Sequence, residues 1–68
     1  MAITVTGVYD SMDKVLNAVD ELVSSGIPRE EIYVDEDSKR VLVTTATDIE
    51  PTITDLLKRH DPIEIKER

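Results

Sequence analysis

Two periods of apolar and polar residues run along this chain, and each predicts a different kind of element. Over residues 12–23 the apolar residues recur every three or four positions, which is the spacing of a single helical face. Asp10 or Ser11 can cap the start of this helix, and Gly26 can take the left-handed conformation that ends it. Ahead of the helix, residues 3–6 alternate apolar and polar, which indicates a strand with one buried face.

The rest of the chain repeats these patterns in shorter stretches. Strands are predicted at 32–34, 40–45 and 63–66, and a charged hairpin loop joins the first two of them. A second helix is expected between the last two strands, with Thr47 or Asp48 as its cap. The resulting order of elements is β-α-β-β-α-β.

This order predicts the fold. With right-handed crossovers, this order of elements favours a ferredoxin-like split βαβ sandwich. We therefore predict a single α+β domain over residues 1–68, with a four-stranded antiparallel sheet and both helices on one face. We expect the first and third strands in the centre, parallel to each other, and the second and fourth strands as antiparallel edges.

Alternation along the strands assigns their residues to two faces of the sheet. The residues expected in the core are Ile3, Val5, Val15, Leu16, Val19, Leu22, Val41, Val43, Ile53, Leu56, Leu57, Ile63 and Ile65. The residues expected on the uncovered face are Thr4, Thr6, Tyr33, Leu42, Thr44, Glu64 and Lys66. An uncovered face of this kind, or an edge strand beside it, is a candidate surface for a protein partner or for self-association.

The size and charge of the chain argue against nucleic-acid binding and membrane association. A chain of 68 residues buries only about 60% of its unfolded surface, so association would add to a small core. The net charge of −7 repels nucleic acid, and the central strands lack the aromatic residues with which such sheets stack RNA bases. Apolar runs are too short to span a bilayer, so no membrane association is expected, and a cytoplasmic protein is the default.

The segment Gly7-Val8-Tyr9-Asp10-Ser11, with the helix that follows and Gly26-Ile27-Pro28-Arg29-Glu30-Glu31-Ile32, resembles the opening module of bacterial general-stress proteins. In that module a turn of glycine, hydrophobic residue, aromatic residue, Asp and Ser leads into a helix. Gly7 is expected to let the chain turn from strand into helix. The resemblance covers about half of the chain and implies a stress-associated accessory role, without a site.

The layout of the whole chain is also similar to that of heavy-metal-associated domains. Those domains carry a Cys-x-x-Cys between the first strand and the first helix, and here the matching positions are Asp10 and Asp13. Without thiolates the resemblance implies the fold but not the binding of Cu(I). The two carboxylates could instead hold a hard divalent cation or a small ligand, or they could serve the helix start alone.

The other candidate groups favour structural roles. His60, the single histidine of the sequence, is expected as a cation at the end of the second helix, because no nucleophile elbow or Gly-rich phosphate loop accompanies it. Asp35, Glu36 and Asp37 are expected to form a solvated loop that protects the sheet edge, with attraction of a cation or basic partner as the alternative. We therefore expect a non-enzymatic interaction or regulatory module without a cofactor, with a cation or ligand sensor at the Asp10–Asp13 turn as the alternative.

Overall fold

The strands and helices form where the apolar pattern predicts them. The computed structural model describes residues 2–67, and both α-helices in that range lie on one side of a single sheet. Its elements are β1 (Ala2–Val8), α1 (Met12–Ser24), a 3₁₀ helix (Arg29–Glu31), β2 (Ile32–Asp35), β3 (Arg40–Ala46), α2 (Glu50–Lys58) and β4 (Glu64–Glu67). Neither α-helix in this range is long and apolar enough to cross a membrane. The predicted ferredoxin-like βαββαβ class is confirmed.

The strand order is β2-β3-β1-β4, and every neighbouring pair is antiparallel. The central pair is β1 and β3, with Val5 opposite Val43. The parallel orientation expected for this pair is wrong. The α1 crossover brings β2 back parallel to β1, and the hairpin after β2 then reverses the chain, so β3 must run against β1.

Local capping fixes both ends of α1. Ser11 is the cap, since its Oγ accepts a 3.3 Å hydrogen bond from the backbone N–H of Lys14. At the other end Gly26 has a φ of 98°, and the N–H of Ile27 donates to the C=O of Leu22 at 3.1 Å. These two features form a Schellman motif, which satisfies the last carbonyls of the helix as the sequence predicts.

The start of α2 differs from its prediction. The helix begins at Glu50, preceded by Ile49, which makes no side-chain cap. Thr47 and Asp48, the predicted caps, lie in a turn that the N–H of Ile49 closes by donating to the C=O of Ala46 at 3.0 Å. Ile49, and not Thr47 or Asp48, therefore holds the cap position, and the prediction is wrong.

The core lies between the sheet and the helices. Its buried apolar residues in the described range are Val5, Tyr9, Val15, Ala18, Leu22, Val41, Val43, Ile53, Leu56 and Leu57. The prediction that Leu16 and Ile63 lie in the core is wrong, because their side chains are 53% and 66% exposed. The buried face of α1 is centred on Val15, Ala18 and Leu22, so Leu16 falls on its border. Ile63 precedes β4, and although its backbone N–H donates to the C=O of Val8 at 2.7 Å, its side chain is left uncovered. Ile3, Val19 and Ile65 are half-buried.

Within residues 2–67, Tyr9 and Ala18 are the two buried core residues that the predicted core does not include, and Tyr9 is the larger of them. It is 2% exposed, and its hydroxyl donates a 2.7 Å hydrogen bond to the C=O of Leu57 at the end of α2. A Cβ on Gly7 would lie 3.1 Å from a ring carbon of Tyr9 and 3.3 Å from its hydroxyl oxygen. Gly7 therefore makes room for the ring from within β1, and its expected role in turning the chain into α1 is wrong.

Candidate functional site

The predicted open face exists and carries the predicted residues. Odd-numbered residues of the central strands, such as Val5, Val41 and Val43, are fully buried beneath the helices, so the even-numbered residues point to the other side. The five candidate interaction residues lie together there, namely Thr4, Thr6, Tyr33, Leu42 and Thr44. Period-two alternation was therefore sufficient to place this surface.

One row of side chains crosses all four strands of this face. In register, Tyr33 of β2 lies beside Leu42 of β3, Leu42 beside Thr6 of β1, and Thr6 beside Lys66 of β4. Tyr33 is 64% exposed, although most of its surface is apolar. The open face thus changes from aromatic and aliphatic at the β2 edge to hydroxyl-bearing and cationic at the β4 edge.

An ion pair borders the β2 half of this face. Arg40 Nη2 lies 3.1 Å from Asp35 Oδ2, and Arg40 Nε donates to Ser38 Oγ at 2.7 Å. Hydrogen bonds from Ser38 and then from Arg40 lower the pKa of Asp35. The acidic hairpin loop therefore begins with a carboxylate that already has a partner, and the remaining charges of the loop are exposed.

The hydrogen-bonding sides of β2 follow from the register. The N–H of Tyr9 donates to the C=O of Lys39 at 2.9 Å, so odd-numbered residues of β1 and β3 point their backbone groups at each other. Even-numbered residues of β3 then point at β2, where Leu42 meets Tyr33. Because backbone groups alternate in direction, those of Val34 point away from the sheet, at its free edge.

The β4 half of the open face holds a depression of about 300 Å³. Its lining residues are Thr4, Thr6, Arg40, Leu42 and Lys66. The two charged residues among them are both cations, although the chain as a whole has fifteen acidic and eight basic side chains. The nearest ion-pair partner of Lys66 is Glu64, at 4.0 Å. The sequence did not predict this depression, because it requires the cross-strand register.

The Asp10–Asp13 turn, which was the alternative candidate site, is occupied by a lysine. Lys14 Nζ lies 3.1 Å from Asp10 Oδ1 and 3.1 Å from Asp61 Oδ2. These two carboxylates raise the pKa of Lys14 by hydrogen bonding to its ammonium group. Asp13 lies in the exposed first turn of α1. Across residues 2–67, no group of three or more His, Cys, Asp or Glu side chains is arranged to hold a metal ion.

His60 belongs to a bridge between the two helices. Its Nε2 lies 2.6 Å from Glu21 Oε1, and Arg59 Nη1 lies 3.0 Å from Glu21 Oε2. The hydrogen bond with His60, and then that with Arg59, lowers the pKa of Glu21. His60 lies just beyond the end of α2 at Lys58, as its predicted role as a helix C-terminal cation requires, but its partner on α1 was not predicted.

Comparison of the chain with models of protein families, with curated proteins and with solved structures finds no match in any of the three. The resemblances to general-stress proteins and to heavy-metal-associated domains therefore stay predictions. The open face, its edges and its charges are the features of the described chain that bear on function.

Proposed function

We propose that this domain is a non-enzymatic interaction module that associates with a second copy of itself through the edge of β2 and the adjoining part of the open face. The observation that carries the proposal is the position of Tyr33. It is 64% exposed, lies beside Leu42, and sits on a strand at the edge of the sheet. Exposed aromatic surface beside an unpaired strand edge favours association by strand addition.

The two edges of the sheet differ in their suitability for such pairing. β4 carries Glu64, Lys66 and Glu67 within its four residues, and charges of this kind deter the addition of another strand. β2 has no charged residue over 32–34, and the charge of Asp35 is compensated by Arg40. The β2 edge is therefore the one that can accept a second copy without burying an unpaired charge.

The free backbone groups of β2 select a register. The N–H of Ile32 already donates to the C=O of Arg29, so it is not available to a new strand. Val34 offers both an outward N–H and an outward C=O, because backbone groups alternate in direction along β2. A two-fold axis through Val34 pairs it with Val34 of the second copy and places each Tyr33 beside Asp35 of the other copy, whose carboxylate is paired with Arg40.

The non-enzymatic part of the proposal is supported by the surroundings of His60. A general base needs a nucleophile to serve, whereas the hydrogen bond that the His60 ring makes in the described part of the chain goes to the carboxylate of Glu21 on the neighbouring helix. The expected association with stress rests on the resemblance of residues 7–32. Its test is whether the protein becomes more abundant in its host under stress.

Self-association is tested by sedimentation velocity and light scattering over a wide range of protein concentration. The informative variant is Tyr33→Glu, which sets a carboxylate against Asp35 of the second copy. Thr44→Glu is the matched control, because it adds the same charge to another exposed position of the open face. Val34→Pro removes the outward N–H from the β2 edge.

We expect the unmodified protein and Thr44→Glu to form dimers as the concentration rises. We expect Tyr33→Glu and Val34→Pro to remain monomers. A monomer at every concentration would overturn it. Dimers that survive Val34→Pro but not Thr44→Glu would place the contact on the faces of two stacked sheets and would overturn the edge register.

A further inference from the structure

The depression in the β4 half of the open face adjoins the proposed dimer contact, with which it has Leu42 and Arg40 in common. Thr4 and Thr6 come from β1, Arg40 and Leu42 from β3, and Lys66 from β4. Three strands thus bring two hydroxyls, two cationic groups and one aliphatic side chain to a single concave surface. Leu42, Thr6 and Lys66 are neighbours in the row that crosses the sheet, so the antiparallel register brings these sequence-distant residues together in the depression.

The cations in this depression keep hydrogen-bonding capacity for a ligand. Arg40 has five N–H donors, and its contacts with Asp35 and Ser38 use two of them. The ammonium group of Lys66 lies 4.0 Å from Glu64, which is beyond hydrogen-bond distance. Arg40 is paired with Asp35, and Glu64 lies near Lys66, but neither carboxylate belongs to the residues that line the depression, so the donors facing it are cationic in a chain of net charge −7.

We propose that this depression binds a small molecule through an anionic oxygen group, either a phosphate or a carboxylate. Lys66 and Arg40 supply charge-assisted hydrogen bonds to the anionic oxygens, and the Thr4 and Thr6 hydroxyls complete the donor set. Leu42 packs against the carbon skeleton that carries the anionic group.

Size and lining limit the ligand class. A volume of about 300 Å³ is at the lower end for small-molecule sites, so the ligand is smaller than a nucleotide cofactor. The lining residues include no aromatic ring on which a base would stack. The inference is independent of the proposed dimer, because the β2 edge pairs without covering β4. Val34→Pro should therefore bind the anion as the unmodified protein does.

The test is an amide NMR titration with sodium phosphate and, separately, with sodium succinate, each at an ionic strength held constant with sodium chloride. We expect saturable shifts of the amides of Thr4, Thr6, Leu42 and Lys66. The stronger of the two ligands identifies the anionic group. Lys66→Gln should weaken binding about tenfold or more, and Thr6→Val, which keeps the branched shape, should weaken it less.

Arg29→Gln is the matched control, since it removes one exposed positive charge from the 3₁₀ helix, outside the depression. It should leave the affinity unchanged. The inference is overturned if neither anion saturates the shifts, or if Arg29→Gln weakens binding as much as Lys66→Gln does. The latter result would show that the anion is attracted to positive charge in general and that the depression is not a specific binding site.

Discussion

Replacing Tyr9 by phenylalanine removes one oxygen atom from the core and tests how the domain is held together. The Tyr9 hydroxyl bonds the C=O of Leu57, which also accepts the N–H of His60 at 3.2 Å. The carbonyl is therefore not left without a partner, and the cost is that of one net hydrogen bond, about 1 kcal/mol. A chain of this size has a free energy of unfolding of about 3–10 kcal/mol, so the loss is measurable and lowers Tm by about 4–8 °C.

The same substitution changes how the free energy of unfolding depends on pH in the alkaline range. Burial raises the pKa of Tyr9 from 10.0 to about 12. Below pH 10 neither the folded nor the unfolded state loses the phenolic proton. Between pH 10 and 12 the unfolded state loses it first, so the unmodified protein loses about 1.4 kcal/mol of stability per pH unit relative to Tyr9→Phe. The variant is less stable at neutral pH, and the two stabilities cross at about pH 11.

The assay is equilibrium unfolding in urea, followed by circular dichroism from neutral pH into the alkaline range. Tyr33→Phe is the control, because its hydroxyl lies on an exposed ring. It should change the free energy of unfolding by less than about 0.5 kcal/mol at all pH values. If Tyr9→Phe and the unmodified protein gave parallel curves up to pH 12, the buried hydrogen bond to α2 would be refuted. Equal effects of the two substitutions would refute it as well.

Three further substitutions test other contacts by the same unfolding assay. Gly7→Ala should destabilise the domain by about 1–3 kcal/mol, because its Cβ would press on the Tyr9 ring at 3.1 Å, and the cost should shrink when Tyr9 is leucine. Glu21→Gln should lower stability near neutral pH, and the difference from the unmodified protein should fade as pH falls below 4.5, because the basic partners lower the pKa of Glu21 in the folded state alone. Glu67→Gln should raise stability near neutral pH, with the gain disappearing below pH 4.5, because hydrogen bonding with Glu50 raises the folded-state pKa of Glu67. A pH-independent difference for either glutamine variant would contradict its assignment.

The features that could be predicted from the sequence depend on residues near one another in the chain. The Ser11 cap and the Gly26 motif span a few positions each, so the ends of α1 are determined locally. The two faces of the sheet depend on alternation within single strands, which is why the open-face residues were predicted correctly. Even the cap of α2 failed for a local reason, since a turn closed by Ala46 and Ile49 delays the start of that helix.

The features that could not be predicted depend on pairs that are far apart in sequence. Tyr9 and Leu57 are 48 residues apart, and Glu21 and His60 are 39 residues apart. A tyrosine in a polar turn motif gives no periodic signal of burial, because its hydroxyl needs a partner that only the folded chain supplies. The cationic depression is of the same kind, since it exists only when β4 pairs with β1.

The open face therefore consists of two surfaces that share Leu42 and Arg40, and their remaining residues separate the two proposals. Leu42 lies between Tyr33 and Thr6, so it contacts the apolar half on one side and lines the depression on the other. A charge at position 33 acts on the β2 edge, whereas loss of the Lys66 charge acts three strands further along the sheet. Because the strands of a sheet are about 4.8 Å apart, these positions are separated by more than a Debye length at physiological salt, and direct electrostatic coupling between them is weak. Leu42→Ala is the one substitution in this row that should weaken both the self-association and the binding of the anion.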